Sequence, residues 1–354
     1  MKKHNFSAGP CILPEEVLKE ASKAVINFNN DNLSLIEISH RSKPFINVMN
    51  NAKNLVRELL NIPQDYSILF LQGGASLEFL MVPFNLMKIN GNASYLNTGI
   101  WSKKAIQEAK GFGKVTISGD SSDKNFNYIP KNYEIPDNMD YFHCTSNNTI
   151  YGTQIKNFPN CKTHLVCDMS SDIFSRKIDV RKFALIYAGA QKNMGPAGAT
   201  LVIVKNEILG KTNRKIPTML NYQTHITGES MFNTPPVFPI YVSMLTLKWI
   251  KKQGGVSVIE KRNIKKAKLL YSEIDRNSLF NGTALIEDRS LMNICFLLND
   301  ESKKDMFDKM CEDAGINGIK GHRSVGGYRA SVYNAMPIES IKVLVDLMRK
   351  LEKN

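Results

Sequence analysis

Two apolar runs in the middle of the chain each end in one polar residue. An acid closes the first and an amine closes the second. Residues 164–167 end on Asp168, and residues 183–190 deliver Gln191 and Lys192 before the chain breaks at Asn193, Gly195, Pro196 and Gly198. Asp168 and Lys192 stand 24 residues apart, the span of a strand, a connection and a second strand. An acid and an amine at the ends of two buried strands suit pyridoxal phosphate chemistry. The amine forms an imine, and the carboxylate keeps a pyridine nitrogen protonated so that the ring accepts electrons. Lys192 follows an apolar strand and precedes GPAG, so partial desolvation would ease loss of its proton. The pair alone is weak evidence, because such a site also needs a phosphate cradle, a stacking ring and substrate anchors.

The chain offers candidates for each of these parts. Gly73-Gly74-Ala75-Ser76 precedes a helical stretch; free backbone N–H groups and the helix dipole favour an anion there, and Ser76 adds a hydroxyl. The same residues also serve as a plain strand-to-helix turn. Trp101, near a helix start, offers a flat ring for stacking or simply a core side chain. Thr149 lies in a loop rich in Asn, Thr and Gly, where a hydroxyl serves a ligand or the turn itself. Near the C-terminus, KGHRSVGGYRAS puts His322 and Arg323 in a turn and Arg329 on the strand behind it. Arginine suits a two-pronged grip on carboxylate or phosphate. The cluster therefore fits an anionic substrate pocket or a solvated loop.

Helices and strands must position these residues. Helical stripes run over residues 13–28, opened by Pro14, Glu15 and Glu16, and over 44–60. The polar connection between them carries Ser39, His40, Arg41 and Ser42. Strand-like runs follow at 68–72, 93–96, 115–118, 141–144, 164–167, 183–190 and 199–204, with helices over 77–87 and around Trp101. This alternation predicts an α/β fold with a mostly parallel sheet sandwiched by helices. Ligands collect beyond the C-terminal ends of such strands. Residues 73–76, Trp101, Thr149, Asp168 and Lys192 all fall there. Helices over 240–252 and 256–274 are separated by Gly254-Gly255. The remainder reads as a small C-terminal α+β unit, with strands at 291–298 and 326–333 and helices at 302–314 and 337–351. The expected division is a large domain of residues 16–255 and a small one of 1–15 with 256–354.

At 354 residues the chain is too long for one ordinary core. Its 43 % hydrophobic and 22 % charged residues make a soluble globular composition. No apolar run is long enough to span a membrane, and MKKHNFSAGPCIL lacks the features of a secretory signal. A cytoplasmic location is expected. Cys11, Cys144, Cys161, Cys167, Cys295 and Cys311 form no CxxC pair. They read as thiols in a reducing compartment, several of them buried, and not as metal ligands. The formal charge of +13 admits nucleic acid, an anionic membrane surface or anionic small molecules. The densest basic run, KRNIKKAK at 261–268, falls at helical spacing beside apolar residues and reads as a solvated helix face. No RNP, zinc-finger or helix-turn-helix signature is present, which disfavours nucleic acid and favours small anionic substrates.

Together NFSAGPCILP, EISHRS, FLQGGAS, NTGIWSKKA, DMSSDIFSRKIDV, YAGAQKNMGPAG, NTPPVFPIY and GHRSVGGYRASVYNAMP resemble the phosphoserine aminotransferase family over nearly the full length. These are class-V pyridoxal phosphate enzymes of fold type I. The pairing of IYAGAQKN with GHRSVGGYRASVYNAMP is the most specific part of the resemblance. It implies amino transfer from L-glutamate to 3-phosphohydroxypyruvate, giving O-phospho-L-serine and 2-oxoglutarate, in a homodimer with active sites at the subunit interface. It implies Lys192 as the Schiff-base lysine, Asp168 as the partner of the pyridine nitrogen, Trp101 as the stacking ring and Thr149 as a contact to the ring face or its oxygen. Ala75, Ser76 and Gln191 would form the cofactor phosphate cradle, completed by Asn233 and Thr234 of the partner subunit. Arg329 would hold the substrate α-carboxylate. His322 and Arg323, with His40 and Arg41 of the partner subunit, would hold the substrate phosphate or the distal carboxylate of glutamate. The chain departs from the family twice. Ser76 stands where some members carry an arginine, and NNTIYG lacks an acidic residue after its first Asn. A role in vitamin B6 synthesis is left open. The alternatives are another fold-type I transaminase, of the serine–glyoxylate kind, and a basic nucleic-acid-binding module.

Overall fold

A computed structural model describes residues 3–353. Seven strands form the central sheet: β1 Tyr66–Leu71, β2 Asn92–Asn97, β3 Lys114–Asp120, β4 Tyr141–Thr145, β5 Leu165–Asp168, β6 Leu185–Gly189 and β7 Thr200–Lys205. Their order is β1-β7-β6-β5-β4-β2-β3. The run from β6 to β3 is parallel, and β7 lies antiparallel between β1 and β6. The mostly parallel α/β sheet expected from the sequence is therefore present, with one reversed strand.

Helices α1 (Glu15–Ile26), α2 (Lys43–Leu60), α3 (Gly74–Leu86), α4 (Ile100–Ala109), α5 (Tyr222–Thr227) and α6 (Val237–Lys252) accompany this sheet. Side chains alternate across it. Phe70, Cys144, Cys167 and Ile186 enter a core shared with α2 and α6, while Leu71, Tyr95, Val166 and Tyr187 enter one shared with α3 and α4. Burial of both faces explains why the strands read as near-continuous apolar runs. The same alternation aims Asp168. It has the parity of Val166 and stands in register beside Thr145 and Tyr187.

Two helix starts deliver site residues. Gly73, at φ 89°, turns the chain out of β1, and α3 begins at once at Gly74. That is three residues earlier than the apolar stripe suggested, so Ala75 and Ser76 lie in its first turn. At α4, Ser102 Oγ accepts from the N–H groups of Thr98 and Gly99 at 2.9 and 3.0 Å, which fixes the start beside Trp101.

Helix α7 (Val256–Arg276) leaves the first core with Val256 and Ile259 and enters a second with Ala267, Leu270 and Ile274. That second core packs an antiparallel sheet, β8 Phe280–Gly282, β9 Asn293–Leu298 and β10 Tyr328–Ser331, against α7, α8 (Lys304–Asp313) and α9 (Ile338–Lys353). The N-terminal segment joins it. His4–Asn5 pairs in parallel with Ile316–Asn317, and Phe6 is fully buried. β8 and α5 are too short to show periodicity in the sequence.

One expectation is corrected. Within KRNIKKAK, Lys261, Arg262, Lys265 and Lys268 are exposed, but Asn263 and Lys266 are buried. They share the inward stripe of Val256, Ile259, Leu270 and Ile274, so position on the helix overrides residue type. All six cysteines are free; Cys11 and Cys161 are only partly buried. Among the described residues, no helix is long and apolar enough to cross a membrane.

Candidate active site

A cavity of about 460 Å³ opens at the C-terminal ends of β1, β2, β4, β5 and β6. It brings together Ala75, Ser76, Trp101, Thr149, Asp168, Gln191, Lys192, His322 and Arg329. A roomier cleft beside it shares Ala8, Gly9 and Arg329. Five expected residues do not line the cavity within one chain. Arg323 is exposed in its turn, and His40 and Arg41 precede α2. Asn233 and Thr234 are exposed ahead of α6, where Thr234 O accepts from Gln72 Nε2–H at 2.9 Å.

Asp168 is 4 % exposed, and its Oδ1 accepts from Ser170 N–H at 2.9 Å. Ser170 Oγ in turn accepts from Gly189 N–H at 3.1 Å, which ties the end of β6 to the acid that ends β5. Burial pushes the Asp168 carboxyl up, against the pull of the Lys192 charge and the Ser170 hydrogen bond. Burial also lowers the Lys192 amine; Asp168 resists this, and the Arg329 charge adds to it. Lys192 Nζ stands 5.7 Å from the centre of the Trp101 ring.

The N-terminal segment clamps this lysine from behind. A Cβ on Gly9, at φ 144°, would lie 3.3 Å from Lys192 Cγ. Cys11 N–H donates to Gln191 O at 3.2 Å, and the Cys11 thiol donates to Lys192 O. Gln191 folds back over its own strand, for a Cβ on Gly189 would come within 2.5 Å of Gln191 Oε1.

The opposite wall is a chain of contacts. Trp101 Nε1–H donates to Thr149 Oγ1 at 3.1 Å, and an Arg329 NH group donates to Thr149 O at 3.4 Å. His322 Nδ1 lies 2.7 Å from Ser324 Oγ and 3.2 Å from Ser324 N. Burial and the charges of Arg329 and Arg323 lower its pKa, so a bound anion would favour its cationic form.

The residues present fit pyridoxal phosphate. The first-turn N–H groups of α3 have no i−4 carbonyl to bond, and a Cβ on Gly74 would meet open space. Two buried polar atoms of lining residues, Thr145 Oγ1 and Arg329 Nε, have no partner among the described residues. Trp101 supplies a flat wall, and Asp168 and Lys192 supply the acid and the amine. Sequence reasoning missed Ala8, Gly9, Thr145, Asn147, Ser170 and Ser171 as lining residues. The signal was the unassigned SAGP and the two serines after Asp168.

Comparisons with known proteins agree with this geometry. The family model for class-V aminotransferases matches residues 3–344. A phosphoserine aminotransferase of Flavobacterium psychrophilum is 64 % identical over 353 residues, 99 % of each chain. A solved phosphoserine aminotransferase, studied for radiation damage of its Schiff base, is 47 % identical with TM-score 0.97 over 100 % of both chains. A PLP-bound phosphoserine aminotransferase of Trichomonas vaginalis is 36 % identical with TM-score 0.93, over 98 % of this chain and 100 % of that one.

Proposed function

The chain belongs to the class-V aminotransferase family, and on that premise we propose that it transfers an amino group from L-glutamate to 3-phosphohydroxypyruvate, forming O-phospho-L-serine for serine biosynthesis. Its cofactor is pyridoxal phosphate. When bound, that cofactor supplies the electron sink that makes the α-hydrogen of an amino acid acidic.

The chain's own residues do the rest. Lys192, whose amine burial makes easier to deprotonate, would form the imine with the cofactor and, once freed, would act as the base that takes the substrate α-proton. Asp168 would present a carboxylate to the ring nitrogen and favour a proton there. Trp101, with its edge held by Thr149, would offer a flat face to the ring. The first-turn N–H groups at Ala75 and Ser76, with Gln191, take the cofactor phosphate. Arg329 grips the α-carboxylate common to both substrates. His322 and Arg323 take the second anionic group, a phosphate in one substrate and a carboxylate in the other, so one pocket serves both half-reactions. We propose further that two copies associate, so that His40, Arg41, Asn233 and Thr234 of the partner subunit complete each site. The proposed division is a large domain of residues 16–255 and a small one of 1–15 with 256–354. The proposed location is the cytoplasm.

The observation that carries this reading is the convergence of Asp168, Lys192, Trp101 and the start of α3 on one cavity. Its test is to add L-glutamate to the yellow protein without an acceptor. The visible band should fade, then return on adding 3-phosphohydroxypyruvate and much less on adding hydroxypyruvate. Equal recovery with both acceptors would refute the phosphate-binding role of His322 and Arg323.

A further inference from the structure

Helix α7 crosses from one core to the other, and two polar side chains one turn apart are buried at the crossing. Asn263 is 0 % and Lys266 3 % exposed. Asn263 Nδ2–H donates to Ser175 O at 3.0 Å and to Asn334 Oδ1 at 2.8 Å. Lys266 Nζ donates to Val332 O at 2.8 Å and to Tyr333 O at 2.5 Å. The charged neighbour of this amine is Arg262, and Cys11 is the acidic group beside it; among the described residues it forms no ion pair with a carboxylate. An unpaired buried amine is unfavourable unless its hydrogen bonds matter. Here both go to one strip of backbone.

That strip, Val332-Tyr333-Asn334, continues β10, where Arg329 stands three residues before Val332. Tyr333 O–H donates to Ala8 O at 2.6 Å, and Asn334 N–H donates to Asn193 Oδ1 at 3.0 Å. Ala8 leads into Gly9, which seats against the Lys192 stem, and Asn193 is the residue after Lys192. The strip is therefore tied to both walls that hold the reactive lysine.

We propose that Lys266 is a positioning residue that holds the end of β10, and with it Arg329, in register with Lys192. It touches no reacting atom and acts through the carbonyls of Val332 and Tyr333. Without its two donors the Val332 carbonyl loses the Lys266 hydrogen bond and the Tyr333 carbonyl keeps only Met336 N–H, at 2.9 Å, so Arg329 moves relative to Lys192. The damage falls on the grip of the substrate carboxylate. Lys266 makes no hydrogen bond to Lys192 or Asp168, so their hold on the cofactor should change little. The inference rests on the aminotransferase reading of the site.

The test uses full-length holoenzyme carrying Lys266→Met, which keeps the packing, or Lys266→Gln, which keeps an N–H donor group on a shorter stem. Asn277→Leu serves as a stability control, because Asn277 bonds Glu273 and Met348 O within the second core. An ångström of misplacement is worth up to about 100-fold, so a partial shift should raise KM for L-glutamate about tenfold in Lys266→Met. Lys266→Gln should fall between it and the wild type. The visible band and cofactor affinity should stay unchanged in both, with kcat falling far less than KM rises. Asn277→Leu, even with an equal drop in melting temperature, should leave KM alone. A Lys266→Met or Lys266→Gln enzyme with wild-type KM overturns the proposal, as does an equal KM rise in Asn277→Leu; if Met does not fold, Gln carries the comparison. A wild-type protein that forms no visible band with pyridoxal phosphate would instead overturn the aminotransferase reading.

Discussion

Glu78→Gln isolates one charge in the wall behind Asp168, and its effect on stability can be worked out as a function of pH. Glu78 lies on α3 with no exposed surface. Tyr222 O–H donates to its Oε2 at 2.5 Å, and among the described residues its Oε1 has no partner. Burial pushes its pKa up to about 8 from 4.5; the Asp168 charge adds to the rise and the Tyr222 hydrogen bond opposes it. The native chain therefore holds a proton on Glu78 between pH 4.5 and about 8 that the unfolded chain has released. Stability from this group is present in full below pH 4.5 and is lost as pH rises through about 8. At about 1.4 kcal/mol per pKa unit, the loss reaches ~3 kcal/mol at pH 7 and ~5 kcal/mol above the native pKa. These are large shares of a typical domain's stability, about 5–15 kcal/mol. Glutamine keeps the shape and the acceptor for Tyr222 and cannot ionise. Urea denaturation of both holoenzymes from about pH 5 upward, taken as variant minus wild type, cancels every other titrating group. The difference should climb in favour of Glu78→Gln by ~3 kcal/mol between acid and neutral pH and then level off above the native pKa. A difference that stays flat with pH would show that Glu78 carries its charge in the fold, and the reasoning would fail.

Two further perturbations test the proposed chemistry. Lys192→Ala should remove both the visible absorption with pyridoxal phosphate and amino transfer, and retention of either would displace Lys192 from its role. Trp101→Phe keeps a flat wall but loses the 3.1 Å hydrogen bond to Thr149 Oγ1. A net hydrogen bond is worth about 1 kcal/mol, so cofactor affinity should fall about fivefold in a titration of the apoenzyme. Unchanged affinity would leave Thr149 no part in holding that ring.

Most of the site was legible because its residues sit where local pattern ends. Asp168 and Lys192 close apolar runs, and apolar runs between turns are what buried parallel strands look like. Ala75 and Ser76 follow a glycine pair, and Trp101 follows another strand end. The illegible parts depend on distant pairing. Nothing local in residues 200–205 shows that β7 slots antiparallel between β1 and β6, because its partners lie at 66–71 and 185–189. Gly9 carries no periodicity, and its contact with Lys192 lies far along the chain. Lys266 differs, for its burial could be read from the stripe of Val256, Ile259, Asn263, Leu270 and Ile274 around it. Residue type obscured it, because a lysine among lysines reads as solvated.

An active site shared by two cores needs more than the covalent link through α7, which runs from the first core to the second. Supporting groups must hold reacting parts to about 0.5 Å, and one crossing helix alone does not fix them that closely. Three separate sets of contacts remove it. The N-terminal segment runs from the second core, through Phe6, across Lys192 at Gly9 and Cys11, to α1 on the first core. Asn147 in the cavity wall donates to Ser171 Oγ and to Asn293 Oδ1, both at 2.8 Å, and so joins the chain beside Asp168 to β9. Asn263 and Lys266 bind the strip after β10. The sets at Asn147 and at Asn263 with Lys266 are polar and buried, so each is satisfied in one arrangement and penalised in others. Apolar contacts alone would tolerate sliding between the cores. The polar seams therefore decide where Arg329 stands relative to Lys192, and that placement decides whether a bound carboxylate brings its α-carbon to the amine.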